Sequence, residues 1–287
     1  MTRAFYSFLV IAGLQTIAYC QVDAKALVRQ SIQNYQRDWR EARTSLVYTQ
    51  TDTTMADDTK DTEVSEIIPL CGTPYERLIR KDGNALTDAE QRKEDRKFRR
   101  AERQRKNETP SEREARIRKY ESERAFVNDI PEAYNFKLVG EETVAGRSAW
   151  VVTMTPRPGF VPTTPHASML AHIEGRLWID KQDVQWAKAE AHVIDTIGIG
   201  WILARVEPGT RFSVEQTRIE SGLWMPRRIT INGAAHVMLV HSKSLNEELT
   251  YSGYHRDASV SASSQQNRQP APPKAVTEKA FPSKSFR

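Results

Sequence analysis

A train of short period-two segments runs from Phe136 to Tyr254, joined by turns too short to hold a crossover. Residues 136–143 and 148–155 flank Ala145-Gly146, and residues 175–180 and 184–195 flank Lys181-Gln182-Asp183. Further segments follow at 198–206, 211–220, 223–232, 234–242 and 245–254. Parallel pairing needs a connection of a dozen or more residues, so neighbours this closely joined must form an antiparallel meander. Upstream, residues 46–51, 64–70 and 75–80 are rich in β-branched and aromatic residues and end on the turn Asp82-Gly83-Asn84, which adds strands to the same sheet.

Two stretches keep a different period. Val28, Ile32, Tyr35, Trp39 and Ala42 recur at alternating spacings of four and three, which predicts an amphipathic helix over 23–42 with Asp23 as its N-cap. Between Thr87 and Arg124 nearly two thirds of the residues are charged, 14 Lys+Arg against 10 Asp+Glu, and the large apolar side chains are Phe98, Ile117 and Tyr120. Thr87-Asp88-Ala89-Glu90 and Ser111-Glu112-Arg113-Glu114 fit the capping-box pattern, with Pro110 stopping the first helix. Acidic residues such as Glu94, Asp95, Glu102 and Glu121 are interspersed at helical spacing and dilute the basic field. The segment therefore reads as a solvated helical insertion, residues 87–127, rather than a nucleic-acid-binding helix.

At the N-terminus one basic residue, Arg3, precedes an apolar run over residues 4–14 and then Gln15-Thr16-Ile17-Ala18-Tyr19-Cys20. That order is a secretory signal, and the run is shorter than the ~20 residues that span a bilayer. Ala18-Tyr19-Cys20 fits plain cleavage; a second reading retains Cys20 as a lipidated anchor. The expected organisation is a signal at 1–20, one domain over 21–256, and a polar, disordered tail over 257–287. Plain cleavage leaves Cys71 without a partner, so no disulfide framework is expected. The formal net charge of +5 is concentrated in the insertion, because outside it, and without Arg3, the chain carries 27 basic and 27 acidic residues.

No nucleophile elbow, P-loop, dinucleotide fingerprint or zinc-protease helix is present, and Gly198-Ile199-Gly200 lacks the third glycine. The six histidines, His166, His172, His192, His236, His241 and His255, do not fall at metal-ligand spacings; His236 and His241 are expected on one strand and on opposite faces. Neither catalytic residues nor a metal or other cofactor is expected. The strand over 184–195 is more informative, since Ala187, Ala189, Ala191 and Val193 share one face and Trp186, Lys188, Glu190 and His192 the other. A small apolar face either lets the N-terminal helix pack closely or leaves room for an apolar ligand. Strand parity selects Trp150, Val152, Met154, Ala189, Ala191 and Val193 as candidate ligand-binding residues.

The segments Gly175-Arg176-Leu177-Trp178-Ile179-Asp180 and Leu223-Trp224-Met225-Pro226-Arg227-Arg228, behind an export signal and an amphipathic helix, resemble the LolA/LolB-like outer-membrane lipoprotein-sorting superfamily. Leu138-Val139-Gly140-Glu141-Glu142-Thr143 after a charged insertion is similar to one bacterial group of that type. The resemblance covers roughly residues 23–254. It implies an α+β fold: a strongly curved antiparallel sheet, an incomplete β-barrel of about ten strands, with the N-terminal helix across its mouth and the charged helical insertion at its side. It also implies a periplasmic, non-enzymatic carrier whose partner is a lipid or a lipoprotein acyl chain, with peripheral membrane contact. The alternative is an envelope protein-interaction or stress-sensing module that contacts an envelope protein through the insertion. Nucleic acid is not an expected partner, and no transmembrane helix is expected.

Overall fold

The computed structural model describes residues 22–56, 59–199, 204–237 and 241–257. The chain starts with helix α1 (Ala24–Ser45) and continues into β1 (Leu46–Ala56), β2 (Thr59–Leu70), β3 (Thr73–Lys81) and β4 (Asn84–Ala85). Helices α2 (Asp88–Lys106), α3 (Pro110–Ser122) and the single turn α4 (Ile130–Ala133) form the insertion and its exit, with a 3-10 turn at Ala125–Asn128. Then follow β5 (Tyr134–Val144), β6 (Arg147–Pro156), a second 3-10 turn at Ala167–His172, β7 (Ile173–Asp180) and β8 (Trp186–Val193). The last strands are β9 (Ile197–Ile199), β10 (Ala204–Val206), β11 (Arg211–Arg218), β12 (Trp224–Val237) and β13 (His241–Arg256). The signal segment, Cys20, Trp201 and the tail beyond residue 257 lie outside the described residues.

All thirteen strands belong to one antiparallel sheet, in the order β4-β3-β2-β1-β13-β12-β11-β8-β7-β6-β5, with β10 and β9 attached beside β12. The sheet is α+β as expected and does not close into a barrel: β4 and β5 are its two ends. It must nevertheless curve. Helix α1 touches both β3 and β5, which stand nine strand intervals apart, ~43 Å on a flat sheet at ~4.8 Å per strand. The helix itself has 22 residues and is ~33 Å long, so the strands bend round it.

Helix α1 starts where expected: the Asp23 carboxylate accepts from the backbone N–H groups of Lys25 and Ala26. It runs to Ser45, three residues further than the apolar spacing predicts. Its N-terminal half buries Leu27, Val28 and Ile32 against Tyr134, Val152, Met154, Leu177 and Ile179. Its C-terminal end buries Ala42, beside Leu46, against Leu223 and Met225. The buried stripe also carries Ser31, Asn34, Asp38 and Ser45, while Tyr35 and Trp39 are only half-buried.

Several segments differ from the sequence reading. Residues 198–206 give two short strands, β9 and β10, paired antiparallel with each other, where one strand is expected. Residues 223–232 and 234–242, expected as two strands, form the continuous β12 up to Val237. Gly233 is therefore not a turn residue; a Cβ there would lie 2.6 Å from Cβ of Thr210, so its role is close approach. His236 falls on β12 and His241 on β13 rather than on one strand. The second capping box is Thr109 with Glu112, not Ser111 with Glu114. Pro110 starts α3 instead of stopping α2, since proline fits the first turn, where no N–H is needed.

The insertion is also less solvated than its charge suggests. Tyr75 of β3 meets Phe98 of α2 edge-on at 5.4 Å, and Arg77 pairs with Asp95 at 2.7 Å. Arg105 donates to the carbonyls of Leu70 and Thr73 at 3.1 Å. Arg116 donates to the Cys71 carbonyl at 2.9 Å and pairs with Glu108. These arginines bring charged donors to the carbonyls of the β2–β3 turn and its flanks. Beyond α3, Tyr120 stacks on Trp39 at 5.3 Å and Arg124 lies 4.7 Å from the Tyr120 ring centre, which fastens the insertion to α1.

The β2–β3 turn holds Cys71 at φ 50 and Gly72 at φ 97, the left-handed pair of a two-residue hairpin. A side chain at Cys71 tolerates this only with strain. Cys71→Asn should raise stability by about 0.5–1 kcal/mol, and Cys71→Val should lower it by a similar amount; denaturant midpoints of the three proteins decide.

Candidate functional site

The face of the sheet that meets α1 can be followed strand by strand, because directly paired residues share a face. One row runs Leu138, Val152, Leu177, Ala189, Val214, Ile229, Leu249, Asp52 and Glu63. The next runs Phe136, Met154, Gly175, Ala191, Phe212, Ile231, Glu247, Thr54 and Asp61. The first stays apolar from β5 to Leu249 of β13 and turns acidic on β1 and β2, while the second is apolar from β5 to β12 and turns polar and acidic from Glu247 of β13 onward.

The concave face is filled unequally. Over β5–β8 it is plugged by the first half of α1 and by Ala167 and Leu170 of the second 3-10 turn, with Val152 and Ile179 fully buried. Over β11–β13, Val214, Ile229, Ile231 and Leu249 are half-buried and belong to none of the four buried clusters. Tyr48 and Tyr251, 6.2 Å apart, stand beside this strip. Burial pushes the Tyr251 hydroxyl up to about 12 and the Tyr48 hydroxyl higher still, so both are neutral donors at neutral pH.

The six residues chosen by parity all lie on this face. Val152 and Met154 are buried in the packing under α1, and Val193 in a separate cluster with Ile197 and Val206. Trp150, Ala189 and Ala191 are half-buried and packed against the main core. The open positions, Val214, Ile229, Ile231 and Leu249, escape a choice confined to β6 and β8. Their signal is the same alternation, one hairpin further along the chain.

The two motif segments meet at one corner. Asp180, at the end of β7, takes a bidentate pair from Arg147 at 2.6 and 2.8 Å and accepts from the backbone N–H groups of Gln182 and Asp183. Asp183 receives Trp224 Nε1 at 2.9 Å, and Arg147 lies 5.4 Å from the Trp224 ring centre. Helix α1 reaches the same corner: Asn34 donates to the Val184 carbonyl at 2.9 Å, and Asp38 accepts from Gln185 Nε2 at 3.1 Å and from the Trp224 N–H at 3.0 Å. The motif residues thus fix the turn, the helix and the start of β12 together.

Burial pushes the Asp180 carboxyl up, but the Arg147 pair and the two backbone donors hold it below the usual carboxylate range. A carboxyl lowered in the folded state stabilises above its unfolded value and loses that contribution as pH falls through the folded value. Stability should therefore drop as pH falls below about 4. Asp180→Asn should flatten part of that acid limb, measured as denaturant midpoints between neutral and acidic pH.

Among the described residues, no group of three or more His, Cys, Asp or Glu side chains could hold a metal ion, and no helix is long and apolar enough to cross a membrane. A cavity of about 660 Å³ opens on the opposite face of the sheet. Its lining includes the polar row Thr153, Arg176, Glu190, Ser213 and Thr230, together with Met154, Ala191 and Phe212.

Fold and site together define an α+β protein whose open antiparallel sheet wraps a helix and leaves part of its concave face apolar and uncovered. No family model matches the chain, and no curated protein matches it. Among solved structures it is similar to a LolA superfamily protein from Nitrosomonas europaea, at 11% identity over 81% of this chain and 93% of that one, TM-score 0.33. A domain from Vibrio parahaemolyticus described as an outer membrane lipoprotein-sorting protein is 10% identical over 80% of this chain and 94% of that one, TM-score 0.34. The Pseudomonas aeruginosa MucA/MucB complex contains a chain 12% identical over 81% of this chain and 96% of its own length, TM-score 0.23.

Proposed function

We propose that this is an exported, non-enzymatic binding protein that carries an amphiphile, such as a lipid or a lipoprotein acyl chain, on the uncovered part of its concave face. The observation that carries this reading is the break in packing between β8 and β11. The two rows that pack into the core from β5 to β8 continue through Val214, Ile229, Ile231 and Leu249, which are half-buried and pack into no buried cluster. An apolar concave strip beside a rigid plug is a surface on which an alkyl chain gains ~25 cal/mol per Å² of area removed from water. Of the parity-selected residues, Ala189 and Ala191 on β8 border the strip in this reading, while Trp150, Val152, Met154 and Val193 belong to the packed part of the sheet beside it. Passage through the periplasm follows from the signal segment, and a lipidated Cys20 would keep the carrier at a membrane.

Purified protein should retain an amphiphile that solvent extraction releases, and it should take up a fluorescent fatty acid with a saturable blue shift. An empty protein that takes up no amphiphile of any head group contradicts the reading.

A second reading, an envelope protein-interaction module, draws on the insertion. It is pinned to the β2–β3 turn, and α2 displays Arg92, Arg96, Arg99, Arg100 and Arg103 to solvent, a face suited to an acidic partner. Deleting residues 87–124 distinguishes the two readings, since partner capture would vanish only if the insertion is the contact surface.

A further inference from the structure

The uncovered strip changes chemistry at one end, and that change identifies the head group of its occupant. Leu249 of β13 is paired directly with Asp52 of β1, and Ile231 of β12 with Glu247 of β13. The apolar strip therefore ends on two carboxylates on the same face, with Glu63 of β2 next to Asp52 in the ladder. Oδ1 of Asp52 is buried and has no hydrogen-bond partner. The residues facing this end from the other elements are Glu76 of β3, which raises the Asp52 carboxyl, and Tyr251 and Arg124, which interact with each other. Lys81 of β3 pairs in register with Glu63 further out. Arg124 is engaged by aromatic rings, 4.7 Å from the Tyr120 centre and 5.4 Å from that of Trp39.

We propose, building on the binding function above, that the amphiphile has a cationic head, an amine or a quaternary ammonium. The head sits against Asp52 and Glu247, and the tail lies along Leu249, Ile231, Ile229 and Val214. An anionic head at this end would meet like charges, and an uncharged one would leave the half-buried carboxylates uncompensated. From β1 to β11 the strip crosses three strand intervals, ~14 Å, which suits an alkyl chain of middle length. Burial holds both carboxyls above their usual range, with added repulsion from Glu63 and Glu76 at Asp52 and from Asp52 at Glu247, so a cation placed against them offsets a cost that the folded protein bears at neutral pH.

The test uses the full chain and three probes with the same dodecyl tail, each below its critical micelle concentration: a trimethylammonium, a maltoside and a sulfate. The trimethylammonium should bind at least about tenfold more tightly than the sulfate, as expected for a partly desolvated charge pair, and this preference should shrink as salt is raised. The double variant Asp52→Asn, Glu247→Gln should lose the preference, still bind the maltoside, and melt at an equal or higher temperature. Equal or tighter binding of the sulfate, or a preference that persists in the double variant, overturns the head-group assignment while leaving the binding function standing. Failure of all three probes to bind overturns both.

Discussion

Asp38→Ala should cost about 3–4 kcal/mol of folding stability, ~10 °C in melting temperature for a domain of this size. Asp38 is 2% exposed, and its carboxylate receives both the Gln185 side chain and the backbone N–H of Trp224. Alanine would leave two buried donors without an acceptor, and the loss of such acceptors costs more than the bonds themselves contribute. The Arg37 side chain, which also pairs with Asp38, is 65% exposed, so Arg37→Ala should cost less than about 1 kcal/mol. Urea denaturation of both variants separates a buried polar clamp from a surface ion pair. Equal losses would show that the helix is held by its apolar stripe alone.

Gly175→Val should have an effect of comparable or greater size, about 3 kcal/mol or more, and the variant is expected to be recovered mainly unfolded. A Cβ at this position would collide with the Glu190 carbonyl oxygen and lie 2.7 Å from Cα of Ala191. Backbone atoms of β8 cannot move aside without breaking the β7–β8 ladder. The contrast is Gly140→Ala, where nothing lies within 4 Å of the added Cβ; this change should be neutral or slightly stabilising. Far-UV circular dichroism and soluble yield of the pair decide whether Gly175 is needed for close approach.

Much of this fold is legible in the amino-acid sequence, for local reasons. The turns Asp82-Gly83 and Ala145-Gly146 place left-handed residues where hairpins need them, and Asp23 marks the start of α1 by its capping chemistry. Where local signals compete, the reading slips. Both Thr109 with Glu112 and Ser111 with Glu114 satisfy the capping-box pattern, and Pro110 decides between them through its missing N–H. Gly233 carries the same signal whether it turns the chain or admits Thr210, and only the tertiary contact distinguishes these roles.

The polar interior is harder to see from the sequence. Asn34 and Asp38 look like solvent-facing interruptions of an apolar stripe, yet both are buried because their partners, the Val184 carbonyl and the Trp224 N–H, come from distant strands. Likewise Arg105 and Arg116 read as part of a solvated charge run until the carbonyls of the β2–β3 turn are set beside them. The candidate site is divided in the same way. Parity selects the face of β6 and β8 that meets α1, but which part of that face α1 covers depends on where a helix ~33 Å long comes to rest on a curved sheet.

We hold that the uncovered concave strip binds an alkyl chain, and a charge placed on that strip decides whether it does. Ile229→Glu points into the strip, whereas Thr230→Glu, its neighbour on β12, points to the opposite polar face. Uptake of a fluorescent amphiphile that the unaltered protein binds should fall more than about tenfold in Ile229→Glu. It should be unchanged in Thr230→Glu, with both proteins folded by circular dichroism. Undiminished uptake in folded Ile229→Glu, or equal loss in both variants, would contradict the claim.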